Sequence, residues 1–331
     1  MKTQGSSCLL PLLLSLSLLS ACSNDAETPQ ADTLDAQINS HIDTARQLAG
    51  NDLRAPFDFF CIPENTRANN REAPNLEPVQ LFDNLYALGH SETVVYAIPT
   101  SEGIVLLDAG YADIVETVLV SGLQELGLDP ADVRYILLGH GHADHYGGAA
   151  YFQSQYGALV GITDADWTVM EERAQNARPG DAPAPTRDLI IRDGETIEIG
   201  ELTITPIAIP GHTPGALAYI FPVTDNGTPH LAGLFAGTVL IAERVSTPNL
   251  MQYVESITRY AAIAESMGVD VEIQNHPLFD NTPERIASLA TRSADGAHPF
   301  VMGTSNYVRF WRIISKCMQA DILRRDLPES P

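Results

Sequence analysis

The chain has 331 residues, of which 44% are hydrophobic and 18% charged. This composition is typical of a globular protein with one large domain or two ordinary ones, and it excludes a disordered chain. The formal net charge is −23, from 42 acidic and 19 basic residues. Because nucleic-acid binding depends on neutralising phosphates, this charge speaks against nucleic acid as a partner and indicates a solvated surface.

The N-terminus predicts export. Lys2 precedes an apolar run, Leu9 to Leu19, that is too short to span a bilayer and is typical of a signal-peptide core. The run ends in "LSAC", which resembles the lipobox of bacterial lipoproteins. That resemblance implies removal of residues 1–21, a lipid on Cys22 and, because Ser23 follows, an outer-membrane anchor facing the periplasm. An ordinary cleaved signal with a coincidental cysteine is the alternative.

Two regions follow the signal. Residues 22–60 are polar and predict a tether with one short helix, whereas residues 61–331 form the predicted catalytic domain. Cys61 and Cys317 lie near the two ends of that domain. In an oxidising compartment they could form a disulfide, and two buried thiols are the alternative.

From Val79 onwards, short strands alternate with helices. Residues 174–188 are rich in proline and glycine and predict a long surface loop. Two strand clusters bracketed by helices indicate two sheets packed face to face with helices outside. The predicted strands are Val79–Phe82, Thr93–Ile98, Gly103–Leu107, Val133–Leu138, Ala158–Ile162, Thr196–Ile199, Leu202–Ile209, Leu217–Val223, Leu231–Phe235 and Val269–Ile273. The predicted helices are Ala112–Leu126, one opening at Gly147, Ala165–Arg173, Leu250–Met267, Pro283–Thr291 and Tyr307–Arg325.

A cluster of metal-ligand residues follows one of these strands directly. In "LLGHGHADHYGG", His140 and His142 are two residues apart and Asp144 and His145 come next. Imidazole and carboxylate are ligands for zinc or iron, and no nearby cysteine suggests a structural thiolate site. The cluster therefore predicts a metal site.

Two further histidines stand at strand ends. His212 lies in the sharp turn "IPGHTPG" and His276 lies in "IQNHPLFD". Both are candidate ligands. The remaining mature-chain histidines lack such settings and are predicted at the surface or behind the ligands; they are His41, His90, His230 and His298.

These motifs together resemble the metallo-β-lactamase-fold hydrolases. The matching features are "LLDAG" at 106–110, H-x-H-x-D-H at 140–145, "PGHTPG" at 210–215 and His276, within residues 78–280. The resemblance implies an α/β fold, the αββα four-layer sandwich, with two zinc ions at one edge. It assigns His140, His142 and His212 to one zinc and Asp144, His145 and His276 to the other. Asp108 would brace the metal loop from beneath, with a helix N-cap as its alternative role.

One position narrows the range of reactions that the resemblance implies. Glyoxalase-like members usually have Gly-Asp at the end of the second hairpin, with the aspartate bridging both metals, but this chain has Gly237-Thr238. That resembles the third subclass of class B β-lactamases, enzymes of antibiotic resistance. It implies attack on a β-lactam amide by a hydroxide held between two zinc ions, with Asp144 orienting it. Thr238 and Arg244 are candidate contacts for a substrate carboxylate, although Arg244 could equally be a surface charge.

Two alternatives stay open at this point. One is a metal-dependent lactonase or esterase acting on the same small-molecule site. The other is a lipoprotein that binds metal or a partner without catalysis.

Overall fold

The computed structural model describes residues 29–241, 244–293 and 295–327. The predicted signal peptide, residues 1–21, and the lipidation site Cys22 lie outside the described residues. Among the helices described, none is both long and apolar enough to cross a membrane.

Two β-sheets form the centre of the fold. The first has seven strands in the order β1 to β7, antiparallel from β1 to β4 and parallel from β4 to β7. The second has five strands in the order β12-β11-β10-β9-β8, of which only β11 and β12 pair in parallel. The strands are β1 Asn75–Phe82, β2 Leu85–His90, β3 Thr93–Thr100, β4 Gly103–Leu107, β5 Val133–Leu137, β6 Leu159–Ile162, β7 Leu189–Ile190, β8 Ile197–Ile199, β9 Leu202–Ala208, β10 Leu217–Asp225, β11 Thr228–Phe235 and β12 Val271–Ile273.

Helices cover both outer faces of the two sheets. They are α1 Pro29–Ala49, α2 Arg54–Cys61, α3 Ser121–Glu125, α4 Ala143–Tyr146, α5 Ala149–Tyr156, α6 Asp164–Gln175, α7 Thr247–Met267, α8 Thr282–Ala290 and α9 Thr304–Arg324.

The alternation of side chains along β10 shows how the layers form. Leu217, Tyr219 and Phe221 belong to the core between the sheets, while Ala218 and Ile220 belong to the core beneath α7 and α9. Successive strand residues face opposite sides of a sheet, so an apolar strand without polar alternation must be buried on both. A third core lies between the first sheet and the helices α3, α5 and α6. The result is the four-layer αββα sandwich, as predicted.

The prediction of a tether over residues 22–60 does not agree with the structure. Within residues 22–60, α1 and α2 are helices, and α1 packs along α9. Its apolar stripe is Ile38, Ala45 and Ala49, all buried, with Ile42 half-buried between them, and Ala45 and Ala49 share a core with α9. These positions recur at helical spacing, so a polar composition concealed a narrow apolar stripe. Residue 60 is therefore not a boundary, because both sides of it belong to one core.

Two local features also differ from the prediction. The strand β2 was not predicted; its residue Gly89 and the two-residue turn before Leu85 interrupted the pattern. The stretch predicted as one helix, Ala112–Leu126, instead contains a 3₁₀ turn, a π-helical turn and α3 in succession. Residues 176–188 have no helix or strand, in keeping with the predicted loop.

A disulfide joins α2 to α9. Cys61 and Cys317 are bonded, with Cα atoms 4.7 Å apart, although the two residues are 256 positions apart in the sequence. Both cysteines are buried in the core beneath the second sheet. The bond thus ties the N-terminal helices to the last helix of the domain.

We expect loss of this bond to lower the free energy of unfolding by about 2–5 kcal/mol, because the cross-link restricts a very long loop in the unfolded chain. The measurement is urea unfolding of the Cys61→Ala/Cys317→Ala variant beside the oxidised wild type. Reductant should shift the wild-type midpoint and leave the variant unmoved. Equal midpoints for the wild type and the variant would contradict the expectation.

Candidate metal centre

The candidate ligands come together where several strands end. His140 and His142 follow β5, His212 lies between β9 and β10, and His276 follows β12. The carboxyl ends of the parallel strands β4 and β5 lie side by side, and the crevice outside such strand ends is a common place for ligands. The sandwich thus brings residues 136 positions apart to one edge.

Three imidazoles converge on one point. His212 Nε2 lies 3.1 Å from His140 Nε2 and 2.9 Å from His142 Nδ1, and the latter two atoms are 3.1 Å apart. A metal ion with ligand nitrogens at about 2.0–2.1 Å in a tetrahedral arrangement holds them slightly more than 3 Å apart. The spacing of the three nitrogens is therefore close to that of three of the four corners of a tetrahedral metal site.

A second set faces the first. His145 Nε2 lies 2.9 Å from His276 Nε2, and Asp144 Oδ2 lies 3.7 Å and 3.5 Å from these two nitrogens. The two sets adjoin, since the rings of His140 and His145 have centroids 4.0 Å apart. Each set brings one atom from each of three residues within 4.8 Å, and both are candidate metal-binding groups.

Hydrogen bonding on the far side of the rings shows that a cation fits the second set. His145 Nδ1 donates to Asp108 Oδ2 at 2.6 Å, and His276 Nδ1 donates to the backbone oxygen of Glu92 at 2.6 Å. In the neutral rings, both Nε2 atoms therefore carry lone pairs, which point at each other and at a carboxylate oxygen. Such an arrangement is repulsive without a positive charge between its members, and a metal ion supplies one.

Electrostatics keep most of these rings neutral. Burial, reinforced by the neighbouring imidazoles, holds the pKa of His140 and of His212 well below the usual value. Burial also lowers the pKa of His142 and that of His276 to about 4. Neutral imidazole is the form that binds a metal, so these four rings are ready ligands at neutral pH.

In the other two candidate ligands, His145 and Asp144, neighbouring charges outweigh the effect of burial on the pKa. Burial would lower the pKa of His145, but the carboxylates of Asp144 and Asp108 outweigh it and the net shift is upward. Burial would raise the pKa of Asp144, but the charges of His145 and its neighbours lower it to about 2. Asp144 is therefore an anion at neutral pH, in position to neutralise a bound cation.

Asp108 lies beneath the metal loop. Its Oδ1 accepts a hydrogen bond from Gly139 N at 2.7 Å while its Oδ2 holds His145, and Asn275 donates to the same Oδ2. Its φ of +66° is a backbone conformation that few residues other than glycine adopt. The first helical turn after it begins at Ala112, so Asp108 does not stand at a helix N-cap position, and its contacts are with the metal loop.

A second bracing carboxylate, Asp166, was not found from the sequence. It is fully buried and accepts from Gly141 N at 2.7 Å, Gly215 N at 2.7 Å and Thr213 Oγ1 at 2.6 Å. It thereby joins the loop of His140 and His142 to the turn of His212. Its only sequence signal was an acidic residue in the first turn of α6, which is ordinary for a helix N-terminus.

A cleft of about 390 Å³ opens over the ligands. His142, Asp144, His212 and His276 reach its floor, and its sides include Asn69 and Arg244. The cleft has the size of a small-molecule site. Its apolar wall consists of Val239, Leu240, Ile241 and Val245.

A wider opening of about 600 Å³ lies on the other side of His142 and Asp144. Asn69 borders this opening too, together with Tyr111, and residues 180–182 of the long loop form its outer wall. The predicted surface loop thus lies beside the candidate metal centre.

The two predicted substrate contacts have different outcomes. Arg244 is exposed and lines the cleft. Thr238 does not occupy the predicted position in the cleft. It is buried, and its hydroxyl lies 2.7 Å from Phe235 O and 2.6 Å from Gln274 Oε1. Since the single hydroxyl proton already has buried acceptors, Thr238 is a packing residue behind the cleft.

The four other histidines do not join the centre. His90 and His298 are buried, and His298 donates to Leu81 O from the far end of the first sheet. His230 pairs with Asp270 at 2.7 Å. His41 is half-buried on α1.

The comparison with known families agrees with this geometry. Residues 88–225 match the sequence profile of the Metallo-beta-lactamase superfamily. This stretch of the chain therefore resembles a metallo-β-lactamase superfamily domain, and the two-sheet fold and the candidate metal ligands described above agree with that match.

Two solved structures are similar to this chain over most of its length. BJP-1, a subclass B3 metallo-beta-lactamase of Bradyrhizobium japonicum, is 27% identical with a TM-score of 0.59, over 77% of this chain and 92% of that one. FEZ-1 from Legionella gormanii has a TM-score of 0.64 at 21% identity, over 78% of this chain and 98% of that one.

Curated relatives match locally. A "Probable metallo-hydrolase" of Burkholderia pseudomallei is 32% identical over 34% of this chain. A "Hydroxyacylglutathione hydrolase" of Pseudomonas aeruginosa is 33% identical over 39% of this chain. These matches span only 37% and 42% of the relatives' own lengths.

We expect Asp166→Asn to lower the free energy of unfolding of the metal-free protein by about 2 kcal/mol or more, because an amide cannot accept from three buried donors. The matched control is Asp164→Asn on the same helix, where a side chain that is 69% exposed should cost less than about 1 kcal/mol. Urea unfolding measures both. Similar losses in the two variants would mean that Asp166 does not join the two ligand loops.

Proposed function

We propose that this protein is a zinc-dependent β-lactamase with two Zn²⁺ ions per chain. The observation that carries the proposal is the ligand set: three imidazoles on one side and Asp144, His145 and His276 on the other, with Thr238 where glyoxalase-like members usually have a bridging aspartate. Subclass B3 enzymes cover most of this chain and nearly all of their own length in the structural comparison, which supports the same choice.

Bound zinc supplies a Lewis acid for the lactam carbonyl and lowers the pKa of a coordinated water towards 7. The chain's own residues arrange the rest. Asp108 and the Glu92 carbonyl fix which nitrogen of His145 and of His276 is available as a ligand. The Asp144 carboxylate, ionised and at the floor of the cleft, accepts a hydrogen bond from the attacking water and orients it.

We propose that residues in the walls of the cleft select the substrate. Arg244 lines the cleft, where its guanidinium can form paired hydrogen bonds with the carboxylate that β-lactam antibiotics carry. The apolar wall on the same side can pack against the fused ring. The long loop across the opposite opening leaves room for a side chain of the substrate.

A second candidate is hydrolysis of an ester or thioester at the same centre. The curated relatives favour it, because several of them are named hydroxyacylglutathione hydrolase. Against it stand the partial coverage of those relatives and the threonine at position 238.

Export to the periplasm with a lipid anchor at Cys22 remains part of the proposal. The Cys61–Cys317 disulfide supports it, since such bonds persist in oxidising compartments.

The zinc-loaded protein should hydrolyse a carbapenem and a cephalosporin and should lose this activity in a chelator. The measurement is the loss of β-lactam absorbance, run beside release of thiol from a hydroxyacylglutathione thioester and hydrolysis of a lactone. Turnover of the thioester or the lactone without turnover of either β-lactam would contradict the proposal and establish the second candidate.

Two histidine variants provide the control. His276→Ala removes a ligand and should lower kcat/KM by at least about 100-fold, since even the partners behind metal ligands are typically worth 10–100-fold. His230→Ala alters a histidine outside the centre and should leave turnover near that of the wild type. Equal losses in both variants would show that general destabilisation is being measured.

A further inference from the structure

A short N-terminal segment reaches the metal centre from outside the region that matches the superfamily. This segment, residues 66–72, is called the strap here. It follows α2 and lies before residue 88, where the matched region begins. Its residue Asn69 borders both openings beside Asp144.

Both ends of the strap are fixed. Arg67 forms a two-pronged ion pair with Glu92, with nitrogen–oxygen distances of 2.9 Å and 2.8 Å. Arg71 bonds both carboxylate oxygens of Asp113 at 2.6 Å, and its guanidinium lies 4.1 Å from the centre of the Tyr111 ring. Paired contacts of this kind restrict orientation as well as distance.

The backbone adds further anchors. Thr66 Oγ1 donates to Phe59 O at 2.6 Å, which connects the strap to α2. Asn70 N donates to Glu92 Oε2 at 2.5 Å. Glu92 is the same residue whose backbone oxygen accepts from His276, so one residue fixes both the strap and a ligand.

Between these anchors, the Asn69 side chain is directed at Asp144. Its Nδ2 lies 3.2 Å from Asp144 Oδ2, 2.5 Å from Tyr111 Oη and 3.2 Å from Thr93 Oγ1. Oδ2 is also the Asp144 oxygen nearest the ligand nitrogens of His145 and His276. A carboxylate oxygen has two lone pairs, so an N–H on one of them leaves the other in a defined direction.

We propose that Asn69 is a positioning residue: delivered by the strap, its amide aims Asp144 Oδ2 at the metal-binding point shared with His145 and His276. The proposal rests on the proposed two-metal centre and not on the choice of β-lactam as substrate. The second N–H of the same amide is directed at Tyr111 Oη, which also accepts from Thr93 Oγ1, and this contact holds the amide in place. Positioning of this kind is typically worth 10–100-fold in metal affinity.

The test is a competitive titration with Zn²⁺ and a chromophoric chelator, which yields separate dissociation constants for the two ions. In Asn69→Ala, one of the two constants should rise about 10–100-fold while the other changes less than about threefold. Asn69→Leu removes the N–H but nearly keeps the volume, so it should show the same selective loss. Thermal unfolding of the metal-free variants accompanies both titrations.

The matched control is Asn70→Ala, an exposed neighbour in the same strap whose side chain accepts from Glu72 N. It should bind both ions as the wild type does. Unchanged binding in both Asn69 variants, equal weakening of both ions, or an equal effect of Asn70→Ala would overturn the inference. A wild type that binds fewer than two ions would overturn the proposed centre itself, and the inference with it.

Discussion

The contact on which the rest of the centre depends is the approach of His145 Nε2 to His276 Nε2. In their neutral forms, each ring donates the N–H of its other nitrogen to a fixed oxygen, so the two Nε2 lone pairs face each other at 2.9 Å. These buried hydrogen bonds hold together a cluster of acceptors whose mutual repulsion is unfavourable until a cation binds between them. Metal binding and local stability are therefore linked at this edge of the sandwich.

Two buried carboxylates keep the cluster assembled. Asp108 joins β4 to the loop after β5, and Asp166 joins that loop to the turn between β9 and β10. The two sheets thus hold their ligand loops through side chains that never reach the substrate cleft. The disulfide between α2 and α9 extends the same framework to the N-terminal helices, from which the strap continues towards the metal centre.

The sequence was informative where chemistry is local. H-x-H-x-D-H after an apolar strand, and the turn around His212, indicated ligands because few other roles require those residues at that spacing. The layers followed from strands that are apolar on both faces, such as β10. The sequence was less informative where a residue acts through a distant partner. Asp166 looked like an ordinary acidic residue at a helix start, and Asn69 belongs to no motif, so only the folded chain shows what each of them contacts.

Two sequence interpretations changed for identifiable physical reasons. The stripe of α1 that packs on α9 includes two alanines, which contribute little to average hydrophobicity, so the segment read as a tether. Thr238 was assigned to the substrate by elimination, but Gln274 and Phe235 supply its partners from within the core. The absence of a carboxylate at that position remains the sequence argument for the β-lactamase proposal, even though the threonine itself does not reach the cleft.

The most direct test of the account is an anomalous diffraction map of zinc-loaded crystals, recorded on both sides of the zinc absorption edge. A two-metal centre predicts two separate peaks, one within reach of His140, His142 and His212 and the other within reach of Asp144, His145 and His276. A single peak, or peaks away from these side chains, would contradict it.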